Sequence, residues 1–300
     1  MIRTGEGSLQ EFLANQVQII DRALNKWVPI ESVDPVSIHK AMRYSLFAGG
    51  KRIRPILAIA AADAVSDAPD GVEDAAATLE LIHTYSLIHD DLPALDNDDL
   101  RRGRPTCHKV FGEAMAILAG DALLTLAFEV LSRITRISAD QKVRLVEELS
   151  RAAGTVGGMI GGQVHDIEGE RKHPTAILLQ TIHKAKTGAL LRASVRMGAI
   201  YAGATDEELA VLSEYGEHIG LAFQIVDDVL DVEESSEALG KTAGKDEAQQ
   251  KITFPAVYGL EQSRVMAEEQ RLAAHVALRT FDDRADRLRQ IADLVVHRRA

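Results

Sequence analysis

The chain has 300 residues, 46% of them apolar and only 4% aromatic, and carries a net charge of −11 with a pI near 5.4. That balance argues against a nucleic-acid partner and against an anionic membrane surface, while local basic clusters remain to take phosphate. The single Cys107 excludes an internal disulfide; no basic-then-apolar leader opens the chain and no uncharged run could span a bilayer, so a soluble cytoplasmic protein is expected.

Apolar positions recur with the helical period and alternating strand patterns are absent, which predicts an all-α fold. Ser8 with Glu11 reads as a capping box opening a helix toward Trp27. Helices over 35–47 and 55–64 follow. Asp70 with Glu73 opens one that ends near Asp91, and another covers 113–134. Ser138 with Gln141 starts the next, followed by helices over 153–162 and 175–202. Thr205 with Glu208 caps a helix that runs to about Asp231, and helices over 255–279 and 281–298 complete the set. The polar stretch 233–251, with Lys241, Lys245 and Lys251, could be a linker but reads better as a lid, because it follows an acidic helix end. No domain boundary is visible, so residues 1–300 are expected to form one helical domain. Gly157-Gly158 and Gly161-Gly162 predict close helix packing.

The stretch from His83 to Asp99 breaks a local rule. An apolar helical run ends in Asp90, Asp91, Asp96, Asp98 and Asp99, although Asp is a poor helix former and negative charge opposes the dipole at a helix C-terminus. A smaller version recurs at Asp227, Asp228 and Asp231. Asp227 and Asp231 are four apart, on one helix face, with Gln224 a turn above Asp228. Asp90 and Asp96 are six apart, and the break at Pro93 lets Asp96 fold back. One such cluster alone is more simply a solvated face; two at the ends of apolar helices are not. Oxygen-only donors suit Mg²⁺, which completes its shell with water and phosphate oxygens, so two acidic walls imply a polyphosphate between them.

Basic groups to match it stand at Gly49-Gly50-Lys51-Arg52-Ile53-Arg54, at Arg101-Arg102-Gly103-Arg104 and at Lys186-Thr187. For Arg52 and Arg104 surface pairing and function both stay open. Lys51, Arg54, Arg101 and Arg102 are the better diphosphate donors. His89 and His108 read as structural, and Gln163 and Asp166 as aids in positioning diphosphate or water. Asp98 and Asp99 serve mainly to orient Arg101 and Arg102.

Together these pieces resemble the trans-isoprenyl diphosphate synthases, most closely the bacterial farnesyl diphosphate synthases. The resemblance rests on the ordered set from Gly49–Pro55 through His83, Asp90-Asp91-x-x-x-x-Asp96, Arg101-Arg102-Gly103, Gly162-Gln163-x-x-Asp166, Lys186-Thr187, Phe223-Gln224-x-x-Asp227-Asp228-x-x-Asp231 and Lys241–Pro255. It implies a helical bundle around a deep central cavity, usually as a homodimer. It implies Mg²⁺, three ions per active site with Mn²⁺ as a substitute, on Asp90, Asp96 and Asp227, with Asp91, Asp228 and Asp231 in support. Arg101, Lys186, Thr187, Gln224, Lys241 and Lys251 would contact an allylic diphosphate; Lys51, Arg54, His83 and Arg102 would hold isopentenyl diphosphate. Lys186, Asp227 and Arg101 carry the catalytic expectation.

In that family, side chains below the first acidic motif floor the hydrocarbon pocket. Ser86 lies four residues before Asp90 and Tyr85 five, about 7.5 Å down the axis. A ring there favours a C15 product, farnesyl diphosphate, with geranylgeranyl diphosphate as the alternative. A terpene cyclase would have no need of the Lys51/Arg54/His83 site, and a non-catalytic regulatory subunit would commonly lose Asp motifs that are intact here.

Overall fold

Ser8 and Glu11 exchange the reciprocal bonds of a capping box, at 3.2 and 2.8 Å, and α1 follows as Leu9–Trp27. The computed structural model describes residues 8–67, 69–169, 175–233 and 252–298. After α1 come α2 (Val36–Leu46), α3 (Ile53–Val65) and α4 (Val72–Asp90). Then a two-residue hairpin, β1 (Leu100–Arg101) and β2 (Arg104–Pro105), leads into α5 (Cys107–Phe111) and α6 (Glu113–Arg133). The chain continues through α7 (Ala139–Ala153), α8 (Met159–Gly169), α9 (Ala176–His183), a π-helical turn (Lys184–Gly188), α10 (Ala189–Tyr201) and α11 (Asp206–Glu233). It closes with α12 (Phe254–Tyr258), α13 (Leu260–Ala277) and α14 (Asp286–His297).

Helices α3 and α4 are apolar around much of their circumference, which a central position satisfies. Residues 55–64 of α3 are buried without a break, as are most of those from Val72 to Ile88 in α4. α10 packs on α3 and α6 packs on α4. The approach of α10 to α3 is close: a Cβ at Gly198 would stand 2.7 Å from the Ala58 carbonyl carbon, so only glycine fits. Ala116, Leu123, Ala127 and Leu131 of α6 pack inward, yet the same helix shows Ala114, Ile117 and Leu118 to the outside. By length and composition α6 could cross a bilayer, but Asp121 and Glu129 interrupt it and its inner face is spent on α4.

The all-α expectation holds, and the capping boxes at Ser138 and Thr205 form with their partners Gln141 and Glu208. Four details differ. The Asp70–Glu73 box does not form: Gly71 caps α4 at φ 86°, while the Asp70 carboxylate pairs with Arg136 and its carbonyl accepts from Tyr201 Oη at 2.8 Å. The helix expected over 153–162 starts instead at Met159 and runs to Gly169. The one expected over 175–202 is interrupted by the π turn. The one over 255–279 breaks at Gly259, φ 81°. The hairpin at Leu100–Pro105 is too short to leave any alternating pattern in sequence.

Candidate active site

The chain reverses at the end of α4 as the Pro93 break predicts. The Asp96 amide donates to the Asp90 carbonyl at 2.8 Å and the Asp98 amide to the Asp91 carbonyl at 3.2 Å, so Asp96 is folded back onto the helix end. The hairpin then carries two arginines into the same region. Its turn residues, Arg102 at φ 53° and Gly103 at φ 73°, are both left-handed, a conformation that costs a non-glycine residue about 1–2 kcal/mol. Arg102 is held there by donating to the Gly49 carbonyl, and its guanidinium occupies the space a Gly50 side chain would need, with Nη1 2.7 Å from such a Cβ.

A cavity of about 580 Å³ opens between these elements. Asp90 and Asp96 line it from the end of α4 and Asp227 from α11, so the two acidic helix ends share one cavity. Arg101, Lys186, Thr187 and Gln224 line it as well, as do Gln163 and Asp166. A neighbouring cavity of about 450 Å³ is lined by Lys51, Arg54, His83 and Arg102. Arg54, His83, Arg102 and Phe223 belong to both linings, so the two anion-seeking regions share a wall.

Three of the six carboxylates expected at the metal stand behind it. Asp91 is almost fully buried and takes a fork from Arg101, with Nε at 2.8 Å and Nη2 at 2.6 Å from Oδ1. It lines a smaller crevice rather than the main cavity. Asp228 reaches the cavity, but its Oδ2 accepts the Phe254 amide at 2.9 Å and lies 3.4 Å from His183 Nε2. Asp231 is buried and lies outside the cavity lining. On α11 the helical period separates the first two: Asp227 faces the cavity while Asp228, 100° on, turns toward α12, and Asp231, on the Asp227 face, lies one turn farther along the helix.

The electrostatics explain what the cavity wants. Burial, with Asp96 and Asp91 adding repulsion against the pull of Lys186 and Arg101, pushes the Asp90 carboxyl up to about 6. A divalent cation relieves that cost, and hard carboxylate oxygens suit Mg²⁺. Among the described residues no three His, Cys, Asp or Glu side chains gather closely enough to cage an ion unaided. On the other side, burial and then Arg54, Arg102, Arg101 and Arg52 hold His83 well below the ordinary histidine range, so it is neutral. Burial also lowers Arg54, whose Nε is buried with no hydrogen-bond partner among the described residues. An orphaned guanidinium N–H beside a neutral imidazole is a ready receptor for a phosphate.

Lys186 owes its position to the π turn. Its Nζ lies 2.6 Å from Asp166 Oδ2, and the turn itself is pressed against α8, where a Cβ at Gly162 would stand 2.5 Å from the Lys186 Cα. Asp166 therefore anchors a lysine, and the expected close packing at Gly162 is present. π turns are frequent at functional sites. His183, just before the turn, is held at about 4 by burial, against a hydrogen bond to Gln224.

Tyr85 and Ser86 line the main cavity from α4. Tyr85 is 5% exposed, and burial, then Asp90, pushes its phenol up to about 12. Of the remaining candidates, Arg52 is structural: it is buried at φ 50° and pairs with Glu80 at 2.7 Å and Asp21 at 3.0 Å. Arg104 is exposed and lies 4.9 Å over the Tyr44 ring. Asp98 lies 3.7 Å from Arg101, whereas Asp99 pairs with Lys109 at 2.7 Å. Lys241, Lys245 and Lys251 lie outside the described residues.

One participant was missed. Arg298 stacks 4.1 Å over Phe223, lines the second cavity and pairs with Asp227. The Arg298-Arg299 pair after an amphipathic helix was its only sequence signal.

The match to known proteins is extensive. The polyprenyl synthetase family pattern covers residues 35–295. The chain belongs to the polyprenyl synthetase family. It is 47% identical to a farnesyl diphosphate synthase of Geobacillus stearothermophilus over 97% of this chain and 98% of that one. It is also 47% identical to the large subunit 1 of a heterodimeric geranylgeranyl pyrophosphate synthase of Arabidopsis thaliana, over 99% of this chain and 82% of that one. A crystal structure of a Caulobacter crescentus polyprenyl synthase, complexed with calcium and isoprenyl diphosphate, superposes with a TM-score of 0.86 at 28% identity, covering 98% and 99% of the two chains. The polyprenyl synthetase is thus a prenyltransferase that elongates trans-prenyl diphosphates, in isoprenoid biosynthesis.

Proposed function

We propose that this enzyme is a farnesyl diphosphate synthase, joining isopentenyl diphosphate head-to-tail to dimethylallyl and then geranyl diphosphate. The observation that carries the reading is the pair of cavities sharing one wall: a carboxylate-lined one with Tyr85 in its lining, and a cationic one in which, among the described residues, Glu80 is the one carboxylate and is neutralised by Arg52. The first suits a metal-bound allylic diphosphate and the second a metal-free one. A terpene cyclase has no use for the second.

Asp90, Asp96 and Asp227 would hold Mg²⁺, three ions per site or Mn²⁺ in their place, which when bound neutralises charge building on the leaving diphosphate. Arg101 and Lys186 donate to that same diphosphate, and Thr187 and Gln224 orient it; Lys241 and Lys251 would add to this from the 233–251 segment. The allylic C–O bond then ionises to a delocalised carbocation. Lys51, Arg54, His83 and Arg102 hold isopentenyl diphosphate so that its alkene faces the cation, an oriented encounter across the shared wall. The proton lost after bond formation goes to the released diphosphate. Apolar lining residues such as Met159, Ile182 and Phe223 keep water from the cation. Tyr85 stops growth at C15, with Ser86 beside it.

The reading includes a homodimer in the cytoplasm. The outward apolar face of α6, with Ile117 44% and Leu118 51% exposed, supports a second copy as its cover, and the buried free thiol of Cys107 supports a reducing compartment. The test is to incubate the enzyme with Mg²⁺, isopentenyl diphosphate and each allylic starter, and to measure product lengths. Farnesyl diphosphate is expected as the end product. Accumulation of geranylgeranyl diphosphate would move the floor away from Tyr85, and a cyclised product formed without consuming isopentenyl diphosphate would refute the reading.

A further inference from the structure

His89 has no part in the metal wall or in the cationic cavity, yet it lines the main cavity one helical turn beyond Tyr85. We propose that His89 is the positioning residue of the pocket floor: it locks the Tyr85 ring against α6 and thereby sets product length. This rests on the reading of Tyr85 as the floor.

Three observations carry it. The two rings, four residues apart on one face of α4, meet edge to face with centroids 5.7 Å apart and planes at 78°. The imidazole is itself fixed to the neighbouring helix: Nε2 lies 3.1 Å from the Ile117 carbonyl and 3.8 Å from Asp121 Oδ1, so Nε2 carries the proton and donates. It seats in a notch that exists only because residue 120 has no side chain. A Cβ at Gly120 would collide with Nε2 and stand 2.5 Å from Cδ2. A glycine inside a long helix lowers its stability, and here that glycine is what admits the ring.

The Tyr85 side supplies the need for a lock. Its Oη is buried and has no hydrogen-bond partner among the described residues, so packing fixes the ring. A growing hydrocarbon presses on that ring. With the imidazole edge in place the ring keeps one orientation; without it, the ring turns into the vacated space and the floor drops.

The experiment compares product lengths from Mg²⁺, geranyl diphosphate and excess isopentenyl diphosphate. The variants are Tyr85→Ala, His89→Ala, Gly120→Ala and the Tyr85→Ala/His89→Ala double. His89→Ala removes the lock, and Gly120→Ala expels it from the α6 side while leaving α4 untouched. Both are expected to raise the share of C20 and longer products on the order of tenfold, the bias an aromatic pair can hold. The first condensation, from dimethylallyl diphosphate, is expected to stay within about twofold of wild type, which also reports an intact fold. Because His89 acts through Tyr85, the double variant is expected to match Tyr85→Ala alone. If Tyr85→Ala lengthens the product while His89→Ala and Gly120→Ala retain the wild-type distribution, the lock is refuted and the floor stands. If the double variant makes longer products than Tyr85→Ala, His89 is a wall in its own right and the positioning role is refuted. If Tyr85→Ala changes nothing, the floor reading falls and takes the lock with it.

Discussion

Replacing Asp91 by asparagine separates two roles that a carboxylate at this place can have. As a metal ligand it would bind Mg²⁺; as the structure has it, it holds Arg101 through a fork of 2.8 and 2.6 Å contacts. The substituted side chain keeps the shape, and its Oδ1 still accepts both of those bonds, but its amide nitrogen, in the place of Oδ2, faces the Nε–H that donates to Oδ2 at 3.0 Å. One charge-assisted bond is thereby lost, worth about 1.5–3 kcal/mol. Arg101, with its side chain 29% exposed, then finds water and loses its aim at the diphosphate. At about 1.4 kcal/mol per tenfold, kcat/KM for geranyl diphosphate is expected to fall by about 10–100-fold. Steady-state assays at several Mg²⁺ concentrations read this directly. The Mg²⁺ concentration for half-maximal rate is expected to stay at the wild-type value. If excess Mg²⁺ restores the Asp91→Asn rate, Asp91 is a ligand and the positioning argument is wrong.

Other consequences can be measured in the same way. Lys51→Ala, which lies only in the second cavity, is expected to raise KM for isopentenyl diphosphate about tenfold while KM for the allylic partner stays put; an equal rise in both would erase the assignment of the two cavities. Gly162→Ala drives a methyl group into the Lys186 backbone and displaces the π turn, so kcat is expected to fall on the order of a hundredfold; an unchanged kcat would mean that the turn does not aim Lys186. Burial, then Asp67, pushes the Asp63 carboxyl up to about 7. Its contribution is fully present below the unfolded value of about 4 and is lost as pH rises through 7. Asp63→Asn should therefore gain on wild type between about pH 5 and about pH 8, by at most about 3 kcal/mol in urea melts, and a constant difference would contradict the shift.

How much of this was legible in the sequence depends on the range of the interaction. The capping boxes at Ser8, Ser138 and Thr205 are three-residue events and formed where the sequence placed them. The fold-back of Asp96 follows from one proline and six residues. Local pattern failed where a distant partner decided. Asp70 left its box for Arg136, and the π turn is packed against α8 so closely that it requires Gly162. Arg52 and Arg54 look alike in sequence, yet Glu80 and Asp21 claim the first while the second reaches the main cavity. The six carboxylates likewise divide: Asp90, Asp96 and Asp227 face the cavity, Asp91 is claimed by Arg101, Asp228, though in the lining, by the Phe254 amide, and Asp231 lies outside the lining. Arg298 is seventy-one residues from Asp227, beyond any local rule.

The central claim is that the ends of α4 and α11 hold one diphosphate jointly through divalent metal. Calorimetric titration with an unreactive geranyl thiolodiphosphate, with and without Mg²⁺, tests it on the wild type and on Asp90→Asn and Asp227→Asn. The account predicts tight binding only with Mg²⁺ and its loss in either variant. Undiminished Mg²⁺-dependent binding with one acidic wall disabled would contradict it.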